Sequence, residues 1–381
     1  MINLLEMYIF FNELIIFNII FSKNLVFNME RKKITGIQQI GVGVEDVKTA
    51  WKWYSRYFGM DIRVFEDEAI AELMLHYTEG KTRKRYAVLA MNMQSGGGLE
   101  IWQHTGKKPK KPDFKPQLGD LGIFAAKIKS QNVKNAFDFM KSEQLDILGG
   151  FESSPNKKSH YFVKDPFENI FQIVEDAYIF ENTKSDTGGI YGAIIGVSNI
   201  DESLKVYQDI LNYDEIVYDK TGVFDDFIGL PGGDRRFRRV LLKHSKTRSG
   251  GFAPLLGPTQ IELVQLIYEK GRDIYKDRIW GDLGFIHICF DTIGMDLLRK
   301  EVKAKGFPFT VDSANSFDMG EAAGYFAYIS DPDGIPIEFV ETHKLPIIKK
   351  LGWNFNLKNR DPNKSLPKWM IGTLRWKRVK N

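Results

Sequence analysis

Apolar and polar positions alternate in four stretches of the chain, and each stretch then changes to a helical pattern. In the first, the strand-like "GIQQIGVGV" from Gly36 leads through a polar turn into "AWKWYSRYF", whose apolar residues recur every three or four positions. The third, "GIYGAIIGVSNIDESLKVY" from Gly189, follows the same plan. The second and fourth begin with the identical tetrapeptide "GDLG", at Gly119 and Gly281. The pattern predicts four copies of a strand followed by an amphipathic helix.

Short strands separated by turn residues follow each predicted helix. The four stretches close on the strands "GLEIWQ", "NIFQIVE", "QIELVQ" and "IPIEFVE". The first and third also share a basic strand and a Gly-rich hairpin, "RKRYAVLAMNMQSGGG" and "RRFRRVLLKHSKTRSGG". We number the copies modules one to four, and their long, short, long, short order predicts a duplicated two-module half. Residues 33–180 then hold modules one and two, and residues 186–345 hold modules three and four.

Both ends of the chain lie outside this repeat. Residues 1–32 form an extension crowded with Ile, Phe, Leu and Asn, and three interpretations stay open for it. Met29 could be the true start, so that the upstream residues are not translated; the segment could be an amphipathic surface helix; or it could span a membrane. The last is least favoured, because Glu6 and Glu13 interrupt the apolar run.

The basic tail, residues 346–381, contains Trp353, Trp369 and Trp376. We expect these tryptophans to pack the tail across the protein as a cap, with the lysines and arginines in water.

Composition limits the possible partners. The chain has 381 residues, of which 43% are hydrophobic and 27% charged, and a formal net charge of +4. These values are typical of a soluble globular protein and by themselves name no partner, and the charge is too small to indicate nucleic-acid binding. The only cysteine, Cys289, cannot form a disulfide within the chain, which fits a cytoplasmic location. The oligomeric state stays open.

The repeated β-α-β-β-β plan, with its Asp-Pro turns and closing strands, resembles the vicinal oxygen chelate superfamily. That family includes glyoxalase I, extradiol ring-cleaving dioxygenases and antibiotic-resistance binding proteins. The resemblance covers about residues 34–342 and implies an α+β fold in which two modules form one open, eight-stranded barrel around a divalent metal. Four modules therefore imply two barrels.

The resemblance places metal ligands on the first and last strands of each module. Modules one and four hold ligand types at both places, whereas modules two and three have each lost at least one. The residues at these places are Gln39 and Glu100, Ala125 and Gln172, Gly192 and Glu262, and His287 and Glu338.

Two ways of pairing the modules stay open. If module one pairs with module four, Gln39, Glu100, His287 and Glu338 form the one-Gln, one-His, two-Glu set of some glyoxalase I enzymes. If module three pairs with module four, the set is Glu262, His287 and Glu338. Either set suits Zn²⁺, Ni²⁺, Mn²⁺ or Fe²⁺. The resemblance gives Glu338 the role of general base.

Three functions follow from the resemblance. The first is a metal-dependent lyase or isomerase that moves a proton on a substrate with adjacent oxygens. The second is an iron-dependent extradiol-type or 2-oxo-acid dioxygenase, indicated by "YISDPDG" from Tyr328, although the family's module-three histidine is replaced by Gly192. The third is a binding protein without turnover. The arginines that bind glutathione in glyoxalase I are replaced by Gly43 and Leu283, so glutathione is not the expected substrate.

The surroundings of the predicted site suggest further roles. Strand alternation places Gln39, Gly41 and Gly43 on one face, and we expect the glycines to leave room for a substrate. Tyr328 is expected to donate a hydrogen bond to a substrate oxyanion. The basic strands "RKRY" and "RRFRR" could attract an anionic substrate or could be solvated hairpin faces.

Overall fold

The computed structural model describes residues 32–314, 317–318, 323–348, 353–357 and 360–379. The predicted N-terminal extension therefore lies outside the described residues except for Lys32. Within the described ranges, no helix is long and apolar enough to cross a membrane.

Each module folds as a strand, a helix and a run of further strands. The strands of module one are β1 (Lys33–Gly43), β2 (Ile62–Ala71), β3 (Arg83–Met91) and β4 (Gly98–His104). Those of module two are β5 (Gly122–Ser130), β6 (Asp146–Ser153), β7 (Ser159–Lys164) and β8 (Ile170–Glu175). Module three has β9 (Thr187–Gly196), β10 (Glu215–Gly222), β11 (Phe237–Lys243) and β12 (Gln260–Leu266). Module four has β13 (Gly284–Ile293), β14 (Val311–Asp312), β15 (Phe317–Asp318), β16 (Ala323–Ser330) and β17 (Pro336–Thr342), and β18 (Lys344–Ile348) and β19 (Trp353–Asn356) follow it.

The first helix shows why the predicted helices form where they do. The helices are α1 (Val47–Phe58), α2 (Val133–Ser142), α3 (Ile200–Tyr207), α4 (Ala253–Leu256), α5 (Met295–Ala304) and α6 (Lys368–Gly372). Helix α1 begins where the Asp46 side chain accepts a hydrogen bond from the Thr49 amide at 2.7 Å. It ends at Gly59, whose φ of 62° favours glycine. Its buried residues, including Ala50, Tyr54 and Phe58, share one face.

Modules pair as one with four and two with three. The first sheet runs in the order β14-β16-β17-β13-β1-β4-β3-β2, with β15 beside β16, and we call it the outer-module sheet. The second runs β10-β11-β12-β9-β5-β8-β7-β6, and we call it the inner-module sheet. The prediction of an α+β fold with four modules in two open barrels is confirmed. Each sheet takes one module from each half of the chain.

The two sheets are held together by helices that pack across to the opposite sheet. The Tyr54 hydroxyl of α1 donates a hydrogen bond to Asp165, in the turn between β7 and β8, at 2.6 Å. In the second half the Tyr207 hydroxyl of α3 donates in the same way to Asp331, between β16 and β17, at 3.0 Å. The shared Asp-Pro turns therefore anchor a tyrosine from the preceding module. One core cluster contains residues of all four modules.

The C-terminal tail packs against module one, but not through the predicted residues. Leu366 and Ile371 are buried, whereas Trp369 and Trp376 are 66% and 80% exposed. The expectation that tryptophans form the cap is wrong for these two, because the smaller aliphatic side chains face the protein instead. The side chain of Trp353 lies outside the described residues.

Candidate metal centre

Four adjacent strands at the centre of the outer-module sheet place the predicted ligands on one face. Gln39 lies on β1, Glu100 on β4, His287 on β13 and Glu338 on β17, and these strands are neighbours in the order β17-β13-β1-β4. Gly41 is paired in register with both Glu100 and His287, and Cys289 is paired with both Gln39 and Glu338. Glu100 and His287 are therefore level with Gly41, and Gln39 and Glu338 are level with Cys289, two residues further along the same face.

Their polar atoms converge. His287 Nε2 lies 3.0 Å from Glu338 Oε2 and 3.3 Å from Glu100 Oε2. Gln39 Nε2 lies 3.3 Å from Glu100 Oε2 and 3.4 Å from Glu338 Oε2. All four residues are buried, and Glu100, His287 and Glu338 offer ligand atoms within 4.8 Å of one another. The structure thus brings together the set predicted for a pairing of modules one and four.

Gly41 makes room for the imidazole of His287. A Cβ atom at this position would lie 2.4 Å from His287 Cε1 and 2.6 Å from its Nδ1, which is closer than any real contact. At Gly43 a Cβ would lie 2.0 Å from the backbone oxygen of Asp282. The expectation that these glycines leave room for a substrate is therefore wrong, because the protein itself fills both spaces.

Backbone irregularities flank the same site. The register of β1 against β13 shifts between Ile37 and Gln39, so that Gln38 is the extra residue of a bulge. It shifts again between Gly41 and Val42, opposite Ile286. Bulges re-aim side chains and are common beside functional sites. Here one of them lets Gln38 and Gln39 both line the same pocket.

The electrostatics of the cluster favour a positive charge between the carboxylates. Burial lowers the pKa of His287, but the charge of Glu338 and the interactions with both glutamates outweigh burial and raise it to about 9. Gln39 Oε1 and both ring nitrogens of His287 are buried without a well-formed hydrogen bond. Such orphaned polar atoms cost free energy unless a partner is present. A divalent cation fits this donor set, since it would replace the imidazole proton and take the free amide oxygen.

Aromatic side chains pack behind the imidazole. The Trp280 ring lies parallel to that of His287 with centroids 5.9 Å apart, and the Tyr328 ring meets it edge-on at 5.6 Å. Burial, followed by the charges of Glu338 and Glu100, raises the pKa of Tyr328 well above its ordinary value, so the phenol stays protonated. Tyr328 does not line the pocket that opens beside the ligands.

The inner-module sheet holds protein cations where the outer-module sheet holds candidate ligands. Strand register makes Glu262 the counterpart of Glu100 and Lys127 the counterpart of Cys289. Lys127 Nζ and Arg239 Nε both donate to Glu262, and the Tyr218 hydroxyl donates to it at 2.6 Å. Burial acts to raise the pKa of Glu262, but Arg239 and Lys127 hold it well below its usual range.

The alternative ligand set of Glu262, His287 and Glu338 is not assembled, because Glu262 lies in the other sheet and is already neutralised by side chains. Lys127 is not among the site residues predicted from the sequence. Its signal was a lysine inside the apolar strand "IFAAKI".

The basic strands are largely paired with acidic residues. On β3, Arg85 forms a two-point ion pair with Asp67, and Arg83 contacts Glu79 at 3.4 Å. On β11, the Arg238 guanidinium contacts Asp219 and Asp201, and Arg239 is buried against Asp226 and Glu262. These partners neutralise most of the positive charge that could attract an anion.

The fold and the donor set together define the vicinal oxygen chelate class of proteins. The sequence profile of the Glyoxalase/Bleomycin resistance protein/Dioxygenase superfamily matches residues 36–173 and 190–339. The chain belongs to this superfamily, and the resemblance seen in the sequence is confirmed. No curated protein sequence matches the chain significantly.

Solved structures support the same fold. A "putative dioxygenase" from Bacillus subtilis is similar with a TM-score of 0.56 and 13% identity, covering 92% of this chain and 98% of its own. Glyoxalase I from Zea mays is similar with a TM-score of 0.51 and 14% identity, covering 82% of this chain and 92% of its own. At such low identity these similarities support the fold alone.

Proposed function

We propose that the protein is a divalent-metal-dependent, glyoxalase-like enzyme that moves a proton on a small substrate with adjacent oxygens. The observation that carries this proposal is the convergence of Gln39, Glu100, His287 and Glu338 from four neighbouring strands. A protonated His287 balances only one of the two buried carboxylates, so a divalent ion that balances both would stabilise the site.

Each residue has a distinct part in holding the ion. Glu100 and Glu338 would supply carboxylate oxygens, His287 its Nε2, and Gln39 its Oε1 after a half-turn of the amide. The two carboxylates balance a charge of +2, and the mixed oxygen and nitrogen set suits Zn²⁺, Ni²⁺, Mn²⁺ or Fe²⁺. When bound, the ion would polarise adjacent oxygens of the substrate and stabilise negative charge on them.

Glu338 is the proposed general base. It lines the pocket, so its carboxylate can take a proton from a substrate carbon and return it to a neighbouring carbon or oxygen. Tyr328 is paired in register with Glu338 and lies behind the site. We assign Tyr328 to positioning Glu338 and His287, because it does not line the pocket.

Isomerase or lyase chemistry fits this site better than ring cleavage. The only group of three close metal-binding side chains among the described residues contains one imidazole and two carboxylates. The dioxygenase alternative needs a second histidine. Glutathione is not the proposed substrate, because Gly43 and Leu283 stand where the family places its arginines.

Metal binding and proton transfer can be tested in turn. Metal-free protein is reconstituted without oxygen in Mn²⁺, Fe²⁺, Ni²⁺ or Zn²⁺, and bound metal is measured by mass spectrometry and calorimetry. Proton transfer is followed by NMR as deuterium uptake from D₂O beside the carbonyl of α-hydroxy ketones. The proposal predicts a single bound ion and metal-dependent uptake.

Single-residue variants distinguish proton transfer from metal binding. Glu338→Gln should abolish deuterium uptake, and Gln39→Ala should weaken metal binding by about 10-fold or more. Glu262→Gln, in the other sheet, should leave metal affinity unchanged. Wild-type protein that binds none of the four metals would refute the proposal, and so would full uptake by Glu338→Gln.

A further inference from the structure

A pocket of about 160 Å³ opens beside three of the candidate ligands, Gln39, Glu100 and Glu338. Apart from these ligands its lining is mainly aliphatic and aromatic, and includes Leu89 on β3 and Val340 on β17. An apolar cavity of about 150 Å³ is enough to bind benzene. The space beside the ligands therefore accommodates one compact apolar group.

The pocket is roofed by parts of the chain outside the outer-module sheet. Phe252, Leu255 and Leu256 come from module three, whose strands form the inner-module sheet, and Leu374 comes from the C-terminal tail. The inner-module sheet has no assembled ligand set among its described residues, but the connection between its strands β11 and β12 supplies most of this roof.

Hydrogen bonds fix the roof in place. The Gly96 amide donates to the Leu255 carbonyl at 2.8 Å, and Lys129 Nζ donates to the Leu256 carbonyl at 2.9 Å. Lys129 is buried in the inner-module sheet, so that sheet holds the roof directly. The Leu366 amide of the tail donates to the Gly251 carbonyl at 3.0 Å, which links the two parts of the roof.

The pocket has no free cation among its described lining residues. Arg85 is the positively charged side chain in the lining, and both of its terminal nitrogens contact the carboxylate of Asp67. Gln38 is the remaining long polar side chain beside the ligands. The part of a bound molecule that extends away from the ligands therefore meets a mainly apolar surface, on which the charge of Arg85 is balanced by Asp67.

Building on the proposed function, we propose that the substrate carries one uncharged apolar group of about the size of a benzene ring beside its two adjacent oxygens. Phe252, Leu255, Leu256 and Leu374 select this group. The structure thereby gives the inner-module sheet a role in substrate specificity.

Hydroxamic acids test this inference because they chelate metals through two adjacent oxygens. Protein loaded with Mn²⁺ is titrated with acetohydroxamate and benzohydroxamate, and the two dissociation constants are compared by calorimetry. Burial of the phenyl ring should make benzohydroxamate bind about 10- to 100-fold tighter. A ratio near one would overturn the inference.

Substitutions in the roof test which residues select the apolar group. Phe252 and Leu374 are both partly exposed, so the fold should tolerate the substitutions Phe252→Gln and Leu374→Gln. Each should reduce the preference for benzohydroxamate at least fivefold while leaving acetohydroxamate and Mn²⁺ affinity unchanged. Trp376→Ala changes an exposed aromatic in the same tail that does not line the pocket, and should preserve the preference. If both roof variants keep the full preference for benzohydroxamate over acetohydroxamate, the roof does not select the apolar group and the inference is wrong.

A metal-free measurement separates this inference from the proposed function. Saturation-transfer NMR should detect benzyl alcohol bound to metal-free wild-type protein, and the signal should fall in Phe252→Gln. Failure to bind metal, with benzyl alcohol still bound in the pocket, would refute the proposed function but not the apolar pocket. If the protein binds metal normally but does not prefer benzohydroxamate over acetohydroxamate, only the inference about the apolar group is refuted.

Discussion

Substitution of Gly41 by alanine tests whether His287 is held where the site requires it. The added Cβ would lie 2.4 Å from His287 Cε1. Carbon atoms pack at about 3.5 Å or more, so the imidazole must move by roughly 1 Å. Metal–ligand distances tolerate only about 0.2 Å, and the displaced ring can no longer contribute a full bond. Metal affinity should therefore fall by about 10- to 100-fold.

The stability of Gly41→Ala should fall as well. Overpacking of a filled interior costs about 1–3 kcal/mol, and the φ of Gly41 adds no backbone strain to this cost. Urea unfolding followed by tryptophan fluorescence measures the stability, and calorimetry with Mn²⁺ measures the affinity. Gly222→Ala is the matched control, since nothing lies within 4 Å of its added Cβ. If folded Gly41→Ala protein binds Mn²⁺ as tightly as wild type, the assignment of His287 as a ligand is wrong.

Three further predictions concern buried polar groups, two of them between the sheets and one within the inner-module sheet. Burial raises the pKa of Asp331 to about 7, against about 3.9 in an unfolded chain, so its contribution to stability is present at pH 4 and is lost as pH rises to 7. Asp331→Asn should remove this loss, so that the unfolding free energy of the variant relative to wild type rises by up to about 4 kcal/mol between pH 4 and 7. If urea unfolding shows that the free energies of variant and wild type change in parallel over this pH range, the prediction is wrong. Tyr54→Phe deprives buried Asp165 of a donor and should lower the unfolding free energy by about 1–3 kcal/mol without changing metal affinity; unchanged urea unfolding would argue against the tyrosine anchor. Lys127→Met leaves Glu262 with one cation fewer and should cost about 3–5 kcal/mol in the same assay, whereas a cost below about 1 kcal/mol would show that the ion pair is dispensable.

The repeated modules could be predicted because alternation, helical spacing and the Asp-Pro turns each lie within a short segment. These patterns located the first and last strands of each module, and the family resemblance then pointed to Gln39, Glu100, His287 and Glu338 on those strands. The pairing of modules could not be decided in this way. It depends on which strand lies beside β1, and β13 is distant in sequence although adjacent in space.

Other parts of the site depend on side chains that meet only after folding. Sequence alternation put Gly41 on the correct face but could not show that the ring of His287 fills the space above it. Lys127 and Glu262 come from different modules, so their ion pair has no local signature. Leu255 and Leu256 lie in module three, and only the fold shows that they roof a pocket beside ligands of the other sheet.

Anomalous X-ray diffraction from crystals soaked in Mn²⁺ shows directly whether the four converging side chains bind a metal ion. We expect a single strong anomalous peak within bonding distance of Glu100, His287, Glu338 and the amide oxygen of Gln39. We expect no peak at Glu262, where Lys127 and Arg239 already balance the charge. An empty outer-module site at saturating Mn²⁺, or a peak at Glu262 instead, would show that the four side chains do not form the metal site.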